Sequence, residues 1–198
     1  MFNCMETTLF RTAPFAGLTG VYAVDPIHST IGLSVRYGMV TNVRGKFTAF
    51  EGIVKLDGEC PTRSEAYLSV QTCSVDTGYP ERDEHVTGPD FLDAATFPLM
   101  SFRSGGFLRA GHDRFRMAGY LLIKDIELPV HVDLGFRGAS RDAHGRNRVG
   151  FTGTATLQRS DWGLDSKRAL ATGGVLISDK VKVTLDIRAV RLDQAHGS

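Results

Sequence analysis

The chain has 198 residues, enough for one large domain or two small ones, and all-β barrels and sandwiches of this length are commonly single domains. Its 23 Lys and Arg against 22 Asp and Glu leave a formal charge of +1, so the electrostatic footprint of a nucleic-acid binder is missing. The longest aliphatic run, Leu121 to Ile123 preceded by Tyr120, falls far short of the ~20 residues that cross a bilayer, so the chain is not expected to span a membrane.

The first stretch, MFNCMETTLFRTAPFAGLTG, carries Glu6 where a secretion signal needs basic residues, and Arg11 interrupts its apolar part. Residues 1–20 are therefore expected to form a loosely held extension, with the folded domain over 21–193. The three cysteines, Cys4, Cys60 and Cys73, are odd in number and widely spaced, with no CxxC pair. They read as reduced thiols rather than as a disulfide framework or a zinc site. Together with the missing signal this gives a cytoplasmic expectation.

From residue 28 onward the main pattern is alternation of period two, the mark of strands with one apolar face. In HSTIGLSVRYG the residues Ile31, Leu33, Val35 and Tyr37 share a face. Between Val43 and Leu56 the apolar parity shifts from Phe47 and Ala49 to Phe50, Val54 and Leu56, which predicts a bulge near Phe47 to Phe50. EAYLSVQTCSVD and PLMSFRSGGFLR add two strands, and in DRFRMAGYLLIKD the face is Phe115, Met117, Gly119, Leu121 and Ile123. ELPVHVDLGFRG presents Leu128, Val130, Val132, Leu134 and Phe136; VGFTGTATLQR presents Val149, Phe151, Gly153, Ala155 and Leu157; KVKVTLDIRAVRL presents Val181, Val183, Leu185 and Ile187. Turn pairs such as Asp57-Gly58, Gly105-Gly106 and Gly173-Gly174 punctuate them, and about eight antiparallel strands result.

Only YPERDEHVTGPDFLDAATFP departs from this pattern. There Asp90 is suited to cap a short helix carrying Phe91, Leu92 and Phe97, with Pro98 as its stop. Such a helix buries its apolar side chains if it lies across one barrel mouth. A closed sheet of eight strands has an interior that is either just filled by side chains or able to hold one small ligand, as in lipocalins. Gly119 and Gly153 lie on apolar faces, where a missing side chain is expected to leave room inside. At this point a cavity and a solid core are both open.

Catalytic and metal signatures are sparse. His28 and Ser29 are adjacent, so in a strand they point to opposite faces and do not form a nucleophile and base; they read as a loop anchor, and no GxSxG elbow occurs. His131 and Asp133 share a wet face beside Arg137, which does not amount to a metal site. No catalytic residue, cofactor or metal is assigned. Within RDEH, residues 82–85, Arg82 and His85 are candidates to meet a phosphate or carbonyl head group at the mouth, whereas Asp83 reads as a loop fastener. Trp162 in RSDWGLD reads first as a packed corner residue.

YAVDPIHSTIGLSVRYG, VRGKFTAFEG, SVDTGYPERDEHV, DFLDAATFPLMSFRS, GYLLIKDIELPV and RSDWGLD occur in an order that resembles the YceI family of lipid-binding, lipocalin-like bacterial proteins, from Tyr22 to about Leu192. The resemblance implies an all-β fold: an eight-stranded antiparallel lipocalin-like barrel with a short helix near the mouth, a long apolar channel holding a polyisoprenoid, and commonly a homodimer. No established catalytic chemistry comes with it.

The expected function is binding, sequestration or transport of a long apolar ligand, a polyisoprenoid, isoprenoid quinone or similar lipid. The expected ligand-lining residues are Ile31, Leu33, Val35, Tyr37, Phe102, Leu121, Leu134, Phe136 and Phe151 on the strands. Phe91, Phe97 and Trp162 join them, with Arg82 and His85 at the mouth. The alternative is an enzyme that cyclises or isomerises an apolar intermediate in the same cavity, with Asp83, His85 or Tyr37 as acid or base. It is motivated by Tyr37 standing where the family usually has His.

Overall fold

The computed structural model describes residue 15 and residues 17–38, 41–143, 145–164 and 177–192. Most of the expected extension, the Gly173-Gly174 turn and residue 193 lie outside them. The strands are β1 (Gly20–Val24), β2 (Thr30–Tyr37), β3 (Thr41–Phe47), β4 (Phe50–Leu56), β5 (Glu65–Gln71), β6 (Val75–Asp76), β7 (Leu99–Arg109), β8 (Arg114–Ile123), β9 (Ile126–Arg141), β10 (Asn147–Gln158) and β11 (Ile177–Arg191).

Three pairs of these are interrupted single strands. β1 and β2 both run along β11, β3 and β4 both run along that composite strand, and β6 prolongs β5, so the eleven strands make eight staves. All pairs are antiparallel, and β1 pairs with β11 at Tyr22↔Arg191 and Val24↔Ala189, which closes the sheet into an eight-stranded barrel.

The interruptions have local causes. Pro26 breaks the first stave, and the Asp25 carboxylate accepts the Ile27 N–H at 3.1 Å to make a turn. Ser29 then replaces the lost backbone pairing: its hydroxyl accepts from Arg188 N–H at 2.9 Å and donates to Arg188 C=O at 3.1 Å. The loop-anchor reading of Ser29 holds. The expected bulge lies at Thr48 and Ala49, where Thr48 N–H turns to Ser74 C=O at 3.0 Å while Ala49 C=O accepts from Gln71 N–H at 2.9 Å. There the stave divides its pairing between β6 and β5.

The helix is displaced from its expected place. It is α1 (Pro80–Thr87), and Phe91, Leu92 and Phe97 sit in the turns that follow. Pro80 occupies the first turn, where a missing N–H costs nothing, and Glu81 and Asp83 complement the positive end of the helix. Asp93, in a left-handed conformation at φ 49°, stops a second helix from forming. Val86, Phe91 and Leu92 nevertheless pack onto the barrel interior, so the apolar residues find the expected partner.

The interior has two packed regions. At the base, where β1 starts, Phe15, Leu18, Tyr22, Phe115, Phe136, Val149 and Ala189 form one cluster. Phe15 meets the rings of Phe115 and Phe136 at 5.4 and 4.8 Å, and the fully buried Tyr22 donates its hydroxyl to Leu18 C=O at 2.9 Å. Phe15 and Leu18 were expected in a loose extension; they instead plug the barrel floor. The residual space there is a cavity of about 30 Å3 lined among others by Phe15, Leu56, Phe115 and Leu134. That is room for one water molecule. A second cluster above it includes Ile31, Phe50, Val70, Met100, Val130, Trp162 and Ile187.

Two expectations are corrected here. Gly119 and Gly153 do not leave room inside: a β-carbon on Gly119 would lie 2.4 Å from Phe102 Cζ, and one on Gly153 would lie 3.0 Å from Leu134 Cδ2. The neighbouring side chains have filled the space. Nor are the thiols all reduced. Cys60, 5% exposed, is disulfide-bonded, and Cys73 is free and exposed.

Candidate apolar binding site

Along the inward face of β11 the exposure rises from base to mouth. Ala189 and Ile187 are buried, whereas Leu185, Val183 and Val181 are half-exposed. Their partners on β2 follow the same gradient: Ile31, opposite Leu185, is buried, while Leu33 opposite Val183 and Val35 opposite Val181 are half-exposed. On β3, Val43 pairs with Val35 and is half-exposed too. Side chains in a filled core are hidden from water. This wall of branched aliphatic residues is reached by solvent from the mouth end.

The sequence-derived site residues fall into separate groups. Leu33 and Val35 belong to the accessible wall. Tyr37 ends β2 at 42% exposure, beyond that wall. Phe91, Phe102 and Leu121 are half-buried and pack against the upper cluster. Phe97 is half-buried under Lys124, whose ammonium lies 5.8 Å from its ring. Ile31 and Trp162 are core residues, and Trp162, 3% exposed, donates its indole N–H to Leu121 C=O at 3.3 Å. Leu134 and Phe136 belong to the packed base, and Phe151 touches both clusters. Val43, Val181 and Val183 were missed as site residues, although the alternation in KVKVTLDIRAVRL already put the last two on an apolar face.

The polar residues near α1 hold a loop together. Arg82 donates from Nε to the Thr77 hydroxyl at 2.7 Å and from Nη2 to Thr77 C=O at 2.9 Å, and it stacks over Tyr79 at 5.6 Å. Asp83 accepts from Thr77 N–H at 3.0 Å and from the Thr77 hydroxyl, as its loop-fastener reading requires. His85 is exposed, its ring 6.4 Å from Phe91. Among the described residues no group of three His, Cys, Asp or Glu side chains is arranged to hold a metal ion.

Arg159, a polar position that matches the family pattern but to which the sequence assigns no role, fastens the mouth. Arg159 is buried at 6% exposure and spends its guanidinium on three backbone carbonyls, Ser178 at 3.2 Å, Ile177 at 3.4 Å and Leu164. Next to it Ser160 donates its N–H and its hydroxyl to Asp179 at 2.9 and 2.8 Å. These bonds hold the Asp179 carboxyl below its ordinary range.

Asp25 makes the corresponding anchor on the outer wall. Burial disfavours its charged form, but hydrogen bonds from His28 at 2.8 Å and Arg148 at 2.9 Å outweigh burial and lower its pKa. A carboxyl depressed in the folded state adds stability above its unfolded value, near 3.8, and the contribution disappears as pH falls through the lower folded value. Asp25→Asn is therefore expected to lower the urea midpoint at about pH 7, with a gap to wild type that closes below about pH 3. A gap that persists unchanged through that acid range means Asp25 acts by some route other than its charge.

Comparison with known proteins follows this geometry. The family model of the YceI-like domain matches residues 22–189. A UPF0312 protein of a Shewanella species is 30% identical over 168 residues, 84% of this chain and 88% of that one. One from Vibrio cholerae is 29% identical over 153 residues, covering 76% and 81%. Among solved structures, Burkholderia cenocepacia BcnA aligns with a TM-score of 0.72 at 23% identity, over 83% of this chain and 98% of that one. A polyisoprenoid-binding domain from Saccharophagus degradans, implicated in plant cell wall breakdown, aligns with a TM-score of 0.68 at 18% identity, over 86% and 98%.

Proposed function

This chain belongs to the YceI-like family, and from that premise we propose that it binds and carries or sequesters a long apolar molecule, a polyisoprenoid or isoprenoid quinone, inside the upper barrel. The observation that carries the reading is the rising exposure of one aliphatic face toward the mouth, from Ala189 to Val181. The polyisoprenoid-binding domain of like fold gives the ligand class its support.

Energetics favour the tail over the head group. One isoprene unit, about five carbons at ~0.8 kcal/mol each, contributes roughly 4 kcal/mol on burial. A few units offset an association penalty of about 4 to 15 kcal/mol without a salt bridge. This suits a site in which Arg82 and Asp83 are engaged with Thr77. Native mass spectrometry of the purified protein, as isolated and after incubation with undecaprenol or ubiquinone, is expected to show one retained ligand mass. Only the bare protein mass under all three conditions rejects the reading.

A homodimer belongs to this proposal. Its support is an exposed row on the outer wall, Ile53, Tyr67, Arg103, Tyr120 and Pro129, each paired with the next across neighbouring strands. Arg103 is bridged to Glu127 at 2.8 Å, so each copy offers both signs and a twofold contact is self-complementary. Light scattering is expected to give a dimer for the wild type and a monomer for Tyr67→Glu combined with Tyr120→Glu. A monomeric wild type rejects the dimer alone.

Location is proposed on the Cys60 disulfide, which suits an oxidising compartment better than the cytoplasm expected from reduced thiols. Alkylation of protein drawn from its own cell decides this. One accessible thiol, Cys73, marks the oxidised form, and reaction at all 3 cysteines marks the reduced one.

A further inference from the structure

We propose that the outer wall at the packed end carries a separate, polar binding site for a phosphate group, in the groove over Gly150. The groove, about 230 Å3, is lined by Arg137, Arg148, Arg188, Ser140 and the backbone of Gly138 and Gly150.

Its construction follows from the register. Gly150 pairs with Gly138 on β9 and with Arg188 on β11, and the register slips between Gly150 and Phe151. The slip leaves Arg137 as an extra residue beside Gly138, a bulge that re-aims a side chain. Arg137 and Arg188 thus flank a floor without side chains. A β-carbon on Gly150 would lie 3.3 Å from Arg188 Nη1 and 3.5 Å from Arg137 Cβ. Arg148, two residues back on the same face of β10, closes the lower side opposite Ser140.

Charge decides the kind of ligand. Arg148 is held by Asp25 at 2.9 Å and Asp142 at 3.5 Å, and Arg188 is held by Asp186, so both guanidinium groups are oriented before anything binds. Arg137 is exposed and, among the described residues, has no carboxylate partner. Residues 137–148 carry four Arg against a single Asp, which leaves this segment positive. Guanidinium forks pair with oxyanions in parallel hydrogen bonds. The Arg137 fork, the N–H groups that Arg148 and Arg188 do not spend on Asp25, Asp142 and Asp186, and the Ser140 hydroxyl together offer more donors than the two oxygens of a carboxylate accept, whereas a phosphate monoester or diphosphate uses them.

The site lies on the outside of the wall, so it is independent of the interior one. Inorganic pyrophosphate, followed by titration calorimetry, is the soluble probe. Sedimentation with vesicles of phosphatidylglycerol in phosphatidylcholine is the lipid probe. Arg137→Glu changes an exposed side chain that has no carboxylate partner among the described residues, and it is expected to weaken binding at least tenfold. Val183→Trp, inside the barrel, is expected to leave it within twofold of wild type. Arg137-dependent binding of pyrophosphate assigns a soluble phosphate ester, and Arg137-dependent sedimentation alone assigns a lipid head group. Failure of the wild type to bind either probe, or binding that Arg137→Glu leaves intact, overturns the site without touching the carrier reading.

Discussion

Val183→Trp is expected to reduce uptake of undecaprenol or ubiquinone at least tenfold while lowering unfolding stability by less than about 1.5 kcal/mol. Val183 faces inward, opposite Leu33, and remains half-exposed, so an indole there enters space the protein's own described side chains do not fill. Leu134→Trp is the control. Leu134 touches the position a Gly153 β-carbon would take, at 3.0 Å, and borders a cavity of only about 30 Å3. Overpacking there is expected to cost about 3 kcal/mol. Urea denaturation and a ligand-retention assay on both variants give the comparison. If Val183→Trp destabilises as much as Leu134→Trp, the upper interior is as tightly filled as the base and the carrier reading fails.

Arg159→Leu is expected to be the most destabilising single change near the mouth, by about 3 to 5 kcal/mol. The substitution leaves the carbonyls of Leu164, Ile177 and Ser178 without their donor in a site where the side chain is 6% exposed. Each buried polar group left unpaired costs about 1 to 3 kcal/mol. Arg159→Lys is expected to recover only part of the loss, because a compact ammonium does not reproduce a planar fork reaching three separate oxygens. Denaturant titration of the two variants is the measurement. A loss below about 1 kcal/mol for Arg159→Leu would show those carbonyls satisfied by other donors.

The barrel was legible because its signal is local and repeated: within β8, β9, β10 and β11 the inward residues recur at every second position, save at the Arg137 bulge. Other features depend on partners far along the chain. The helix start at Pro80 and the expected start at Asp90 both carry good local signals, and the left-handed Asp93 decides between them. The space beside Gly119 depends on the Phe102 ring from the neighbouring strand, which no pattern within either strand reports. Arg159 binds backbone carbonyls, which every residue has, so its role leaves no mark on residue type. The Cys60 disulfide likewise is a matter of proximity, and odd cysteine arithmetic pointed away from it.

The apolar faces were readable, but which end of them is plugged was not. Leu134 and Phe136 share the alternation of their strand with Val130 and Val132, yet they belong to the base because Phe15 and Leu18 fold beneath them. Leu33 and Val35 share theirs with the buried Ile31, and they stay accessible because they stand nearer the mouth. A period-two pattern names the face and is silent about depth.

Under the proposed carrier reading, the plugged floor separates folding from loading. Tyr22, Val149 and Ala189 are sealed by Phe15 and Leu18, side chains of the protein itself, so the base needs no lipid to complete its packing. Cargo then adds its own increment, RT ln(1 + [L]/Kd), to a chain already standing. On that carrier reading, discharging a tail to an acceptor would return an empty vessel ready to be refilled, with no unfolding step in the turnover.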